Sequence, residues 1–220
     1  MVKILSISDQ VDPLIYSFNI KERFSDVDLV LSCGDLSYLY QEFIITVLDK
    51  PLFFVHGNHD PLLEDNEGEP RPQPFGAVSL HRRTIREQGI LMGGVEGSIY
   101  YNGKTPYQYT QSRMWRHTLR LVPGLLFNKI FFGRYLDVFV THAPPRGIHE
   151  GDDHTHQGIK AFRWLIDCFQ PTLVIHGHIH VYHPDAVTET CVGKTMVLNT
   201  FRYRVTELDP QIGKIRGLPC

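Results

Sequence analysis

Five apolar runs in this chain each stop on a short polar block. Lys3-Ile4-Leu5-Ser6-Ile7, Asp28-Leu29-Val30-Leu31-Ser32, Leu52-Phe53-Phe54-Val55, Asp137-Val138-Phe139-Val140-Thr141 and Leu173-Val174-Ile175 read as buried strands. The blocks that follow them are Ser8-Asp9-Gln10, Gly34-Asp35, Gly57-Asn58-His59-Asp60, His142 and Gly177-His178-Ile179-His180. In a mostly parallel sheet such strand ends gather along one edge, outside which ligands bind. Carboxylate, amide oxygen and imidazole groups far apart in sequence are therefore expected at one place. That donor set suits divalent transition metals such as Mn, Fe or Zn.

The rest of the pattern agrees with an α/β chain. Val2–Ser8 reads as a strand, Pro13–Phe24 as a helix, Tyr40–Leu48 as a second helix and Leu52–Val55 as a third strand, which gives a βαβαβ run with parallel pairing and right-handed crossovers. Glu64–Gly76, with Pro70, Pro72 and Pro74, reads as an exposed loop. Strand character returns at Gly89–Gly94, and Tyr100–Pro106 is a turn. Ser112–Val122 reads as a helix ended by Pro123-Gly124 and Gly158–Phe169 as another, while Thr195–Asn199 and Arg202–Leu208 read as strands of a meander or hairpin.

Bulk properties narrow the class. At 220 residues the chain fits one domain, residues 1–220, and its 42% hydrophobic and 21% charged content is that of a soluble globular protein. A formal charge of −2 gives no electrostatic case for nucleic acid. No stretch reads as a transmembrane segment or a signal peptide. Cys33, Cys168, Cys191 and Cys220 form no Cys-x-x-Cys pair, which suggests reduced thiols and a cytoplasmic setting. There is no Gly-x-Ser-x-Gly elbow and no Walker-type loop.

Taken in order, Gly34-Asp35, Gly57-Asn58-His59-Asp60, Thr141-His142-Ala143-Pro144-Pro145 and Gly177-His178-Ile179-His180 resemble the metallophosphoesterase (calcineurin-like phosphoesterase) superfamily. The resemblance runs from Asp9 to His180. It implies two mixed β-sheets packed face to face and flanked by helices, a four-layer αββα sandwich with a dinuclear metal site on the strand ends. It implies a phosphomonoesterase or phosphodiesterase in which a metal-activated hydroxide attacks phosphorus. By the same resemblance Asp35 bridges two divalent ions (Mn, Fe or Zn), Asn58, His142 and His178 complete the second ion's ligands, and Asp9 and His180 serve the first. Asn58 and His59 would face the substrate, a small-molecule phosphoester or nucleotide. His59 would protonate the leaving oxygen, with Asp60 orienting it.

The chain departs from the family pattern at one place. Where the first block ends in His, this sequence has Val11, which cannot bind a metal. The first site is therefore expected to be weak or empty, unless water, Gln10 or Asp12 fills in. A non-catalytic or single-metal scaffold is the alternative reading. Taken singly, Asp9 and Asp35 also suit helix N-caps, and His56 and His176 suit the interior. Arg113, Asp153 and His156 are secondary candidates for substrate contact; Asp152, Asp153, His154 and His156 read first as a polar loop at the site mouth. The basic, apolar stretch Trp115–Phe132 suits a helix packed on the sheet or a homodimer contact, with a lipid-directed phosphohydrolase as a third reading.

Overall fold

The computed structural model of the chain describes residues 1–62, 64–66, 69–211, 213–217 and 220. Part of the expected Glu64–Gly76 loop, Glu67 and Gly68, lies outside them. In chain order the elements are β1 Val2–Ser8, α1 Ile20–Arg23, β2 Leu29–Ser32, α2 Tyr38–Leu48, β3 Leu52–Phe54, β4 Glu64–Asn66, β5 Glu69–Arg71, β6 Ala77–Ser79, β7 Thr84–Glu87, β8 Ile90–Val95, β9 Ser98–Ile99, β10 Gln108–Tyr109, α3 Gln111–Leu119, α4 Val122–Phe132, β11 Val138–Thr141, α5 Lys160–Phe169, β12 Leu173–His176, β13 Glu189–Val192, β14 Thr195–Asn199, β15 Arg202–Asp209 and β16 Lys214–Ile215.

Two six-stranded mixed sheets form the body, in the orders β16-β15-β1-β2-β3-β6 and β13-β14-β12-β11-β8-β7. The expected βαβαβ run is present: β1, β2 and β3 pair in parallel, with Ile4 opposite Leu29 and Val30 opposite Leu52. β8, β11, β12 and β14 are parallel in the second sheet. Ile4, Leu31 and Phe53 from one sheet meet Met92, Val140 and Ile175 from the other in a central core. The outer face of the first sheet packs Ile7, Val30 and Phe54 against Tyr40, Ile44 and Leu48 of α2. The outer face of the second packs Phe139, Val174 and Val197 against Phe162, Leu165 and Ile166 of α5. This is the expected four-layer αββα arrangement. The ends of β1 and β2 in one sheet and of β11 and β12 in the other meet at one edge of the sandwich, which is why the polar blocks converge there.

Several local expectations give way. The apolar spacing over Pro13–Phe24 is met mainly by turns. The Asp12 side chain accepts from the Leu14 amide and its carbonyl takes the Ile15 and Tyr16 amides in a single turn, and only Ile20–Arg23 is helical, although Ile15 and Ile20 are still buried. The loop after Asp60 contains a short antiparallel ladder, β4 with β5. Pro123 starts α4 rather than ending α3, because its missing N–H costs nothing in a first turn. β14 and β15 are not a hairpin: the chain changes sheets between them, so β14 pairs with β12 and β13 while β15 lies antiparallel to β1. Cys191 and Cys220 are joined by a disulfide, against the expectation of reduced thiols, whereas Cys33 and Cys168 are free.

His176, at the end of β12, is fully buried and structural. Its Nε2 lies 2.9 Å from His149 Nδ1, and His149 Nε2 lies 2.9 Å from Thr190 Oγ1. Burial, with the His149 ring beside it, pushes the His176 pKa down to about 3. The ring is therefore neutral in the native state and takes up a proton only on unfolding. Its stabilising contribution is present above the unfolded value of about 6.5 and is lost as pH falls below it, by about 1.4 kcal/mol per pH unit. Unfolding free energy should accordingly fall between neutral pH and pH 5. The His176→Gln variant should show a slope shallower by about one proton in urea titrations across that range.

Candidate metal centre

Asp9 follows β1 and Asp35 follows β2, both in left-handed backbone at φ 64° and 57°; His178, after β12, adopts φ 66°. Such conformations are costly for non-glycine residues and persist only when surrounding contacts over-determine them. The Asp9 amide donates to Gly34 O at 3.1 Å, and the His178 amide donates to both Asp9 carboxylate oxygens at 3.0 Å. Asp35 Oδ1 accepts from the His59 amide at 2.7 Å. Two glycines make this density possible. A Cβ on Gly57 would stand 2.0 Å from Asp35 Oδ1, and one on Gly177 would stand 1.9 Å from Ser8 Oγ and 2.5 Å from Asp9 Oδ2.

Four atoms then point at one another across the seam. His142 Nε2 lies 3.1 Å from Asn58 Oδ1, 3.2 Å from His178 Nδ1 and 3.3 Å from Asp35 Oδ2. The far nitrogens are taken: His142 Nδ1 is 2.7 Å from Cys33 O, and His178 Nε2 is 3.1 Å from Thr155 O. Carbonyls only accept, so these nitrogens carry the protons and the facing nitrogens carry lone pairs in the neutral rings. Asn58 Nδ2 donates to Tyr101 Oη at 3.2 Å, which turns its oxygen inward. Four acceptors thus converge with no donor among them. A cation is what such a set fits, and Asp35, His142 and His178 lie close enough together to hold one metal ion.

In the metal-free protein a proton takes that place. Burial opposes charge on His142, but the Asp35 carboxylate overrides it and raises the pKa to about 9. Burial likewise opposes ionisation of Asp35, and the His142 ring, helped by the His59 amide, holds it at about 2. His178 is pushed down to about 4 by burial and by His142.

The residues expected around the first ion are placed differently. Asp9, whose side chain is buried, has Oδ1 3.7 Å from His180 Nε2, and its carboxylate raises the His180 pKa. Val11 is 41% exposed. Neither suggested substitute reaches in: Gln10 is exposed, and the Asp12 carboxylate caps the turn at Leu14.

His59 is exposed and borders a cavity of about 280 Å³ together with Asp35, Ser37 and Pro61. Asp60, expected to orient His59, is engaged elsewhere in the structure. Its carboxylate, 2% exposed, accepts from Leu36 N at 3.0 Å and Gly57 N at 2.8 Å and faces His56 Nδ1 at 3.5 Å, so it braces the two loops that carry Asp35 and Asn58. His56 is interior, stacked on Tyr107 at 4.4 Å. His156 stands at the mouth, its ring 5.2 Å from that of His178 and its Nδ1 2.7 Å from Asp153 Oδ2. The Arg113 guanidinium lies over the Tyr109 ring at 5.0 Å.

Sequence reading missed Tyr101, whose position in a turn carries no signal, and the aromatic surroundings of His180. The His180 ring stacks on Phe201 at 5.0 Å, and its Nδ1 is 2.9 Å from Tyr182 Oη. Tyr182, Phe201, Tyr203 and Arg202 line a cavity of about 530 Å³ beside it.

The family model described as calcineurin-like phosphoesterase matches residues 6–182. The chain belongs to this family. Among solved structures, TT1561 of Thermus thermophilus is similar with a TM-score of 0.60 at 16% identity, covering 98% of this chain and 97% of that one. An archaeal phosphodiesterase gives a TM-score of 0.43 at 16% identity, with 98% of each chain covered. Vacuolar Protein Sorting 29 from Cryptosporidium parvum gives 0.44 at 12% identity, covering 98% of this chain and 94% of that one. No curated protein matches by sequence.

For a family member with this ligand set, a metal must displace the His142 proton. Calorimetric metal affinity should therefore rise about tenfold per pH unit from pH 6 toward the His142 value of about 9, with protons released on binding. A pH-independent affinity would contradict the protonated His142 of the metal-free protein. Gly177→Ala should weaken metal binding by at least about tenfold, because its Cβ displaces Asp9 or Ser8.

Proposed function

We propose that the chain is a metal-dependent phosphoesterase acting on phosphate mono- or diesters of small molecules or nucleotides. The observation that carries this reading is the convergence of Asp35, Asn58, His142 and His178 beside the cavity that His59 borders. A divalent Mn, Fe or Zn ion held by these residues would supply Lewis acidity and activate water there. The chain's own residues do the rest. Cys33 O and Thr155 O fix the tautomers of His142 and His178. His59, anchored through its amide to Asp35, donates a proton to the leaving oxygen. Asp60 holds the Leu36 and Gly57 amides and so keeps the loops in register. The cavity beside His180, walled by Tyr182 and Phe201, suits a planar group such as a nucleobase, which favours a nucleotide among the substrates.

The two metal positions differ in strength. Asp35, Asn58, His142 and His178 offer four ligands to the second ion, whereas the first has Asp9, Asp35 and His180 and no donor at Val11. Purified protein should retain one ion tightly and lose the other on dialysis, and Val11→His should raise retention of the weaker one. Two tightly held ions in the unaltered protein would contradict this assignment.

Turnover of bis-nitrophenyl and nitrophenyl phosphate with added Mn tests the activity. His59→Ala should lower kcat by about 10²–10⁴-fold while metal content stays unchanged. Folded, metal-loaded protein that turns over neither ester with Mn, Fe or Zn would support the scaffold reading instead.

A further inference from the structure

Helix α4 is inside out. Its core-facing side buries Leu125 and Asn128, whose Nδ2 donates to Tyr135 O at 2.9 Å. Its solvent-facing side carries Leu126, Phe127, Ile130 and Phe131, which are 48%, 52%, 77% and 64% exposed. These four share one helix face by their spacing, and the Phe127 and Phe131 rings lie 4.3 Å apart. An ordinary packed helix puts its apolar stripe toward the core, so the expectation that Trp115–Phe132 packs on the sheet holds for Leu121 and Leu125 but fails for Leu126, Phe127, Ile130 and Phe131.

The segment that carries this face is one-sided in charge. Residues 111–135 contain Arg113, Arg116, Arg120, Lys129 and Arg134 and no Asp or Glu, in a chain whose formal charge is −2. Arg134 is paired with Asp137. Arg113, Arg116, Arg120 and Lys129 have no carboxylate within ion-pair distance among the described residues, and all four are exposed. A second copy of the chain is a poor occupant, because a two-fold contact would set these cations against their own images. An anionic bilayer surface satisfies both features, with apolar side chains entering the acyl boundary and cations meeting headgroup phosphates. The 11 residues of α4 reach about 16 Å, far short of a span, so the helix would lie in the interface plane.

We propose that α4, with the adjoining cations of α3, docks this protein on anionic phospholipid membranes. The proposal stands apart from the phosphoesterase reading, and its test needs no turnover. Full-length protein is sedimented with vesicles of phosphatidylcholine alone or of phosphatidylcholine containing phosphatidylglycerol. Binding should appear with phosphatidylglycerol, weaken at least about tenfold without it and fall as salt rises. Ile130→Ser/Phe131→Ser should reduce it at least about tenfold with an unchanged melting temperature, since both side chains are exposed. Arg120→Glu/Lys129→Glu, a pair that leaves the apolar face intact, should also weaken it. No association with either vesicle would overturn the proposal, as would vesicle binding that the Ile130→Ser/Phe131→Ser pair leaves unchanged. A stable dimer that this pair dissociates, without vesicle binding, would assign the face to a second copy instead.

Discussion

Four acceptor atoms held face to face make an arrangement that only a cation reconciles, and the local structure around the seam exists to hold them there. Asp35 and Asn58 come from the first sheet; His142 and His178 come from the second. One link between the sheets at this point is His142 Nδ1 donating to Cys33 O, with both groups buried. That bond fixes which nitrogen of His142 looks inward, and so makes the lone-pair cluster a property of the fold rather than of one loop. A proton answers the cluster when no metal is present. Metal binding is therefore coupled both to proton release and to the docking of one sheet edge on the other.

The backbone bears the cost of this arrangement. Asp9, Asp35 and His178 all sit in left-handed conformations, and each is held by a hydrogen bond that crosses from one strand end to the next. Gly57 and Gly177 occupy the two positions where a methyl group would collide with a ligand carboxylate. The glycines in the motifs are thus packing requirements of a crowded centre. Asp60 belongs to the same scaffold: it is a buried carboxylate that ties down two amides, at a place where the sequence suggested a partner for His59.

The centre was legible because its residues mark the ends of buried strands, and strand ends in parallel sheets must converge. The four-layer fold followed from the same runs. What was not legible depends on long-range choices. Nothing local says that β14 and β15 belong to different sheets, since the crossover is set by which open edge each strand meets. The Pro13–Phe24 stretch has helical apolar spacing, yet after one turn on Asp12 only Ile20–Arg23 is helical. Pro123 reads equally as a stop or a start, and only the burial of Leu125 and Asn128 decides. The Cys191–Cys220 pairing joins an edge strand to the chain end, a proximity with no local signature. The polarity of α4 also escaped sequence reading, because a run apolar all round does not say which side is covered.

The central claim is that a divalent cation sits among Asp35, Asn58, His142 and His178. Anomalous diffraction from crystals grown with Mn tests it most directly. The account predicts a strong anomalous peak within coordination distance of Asp35 Oδ2, His142 Nε2 and His178 Nδ1. A crystal with Mn bound elsewhere and none between these atoms, or one in which His142 Nδ1 rather than Nε2 faces the gap, would contradict it.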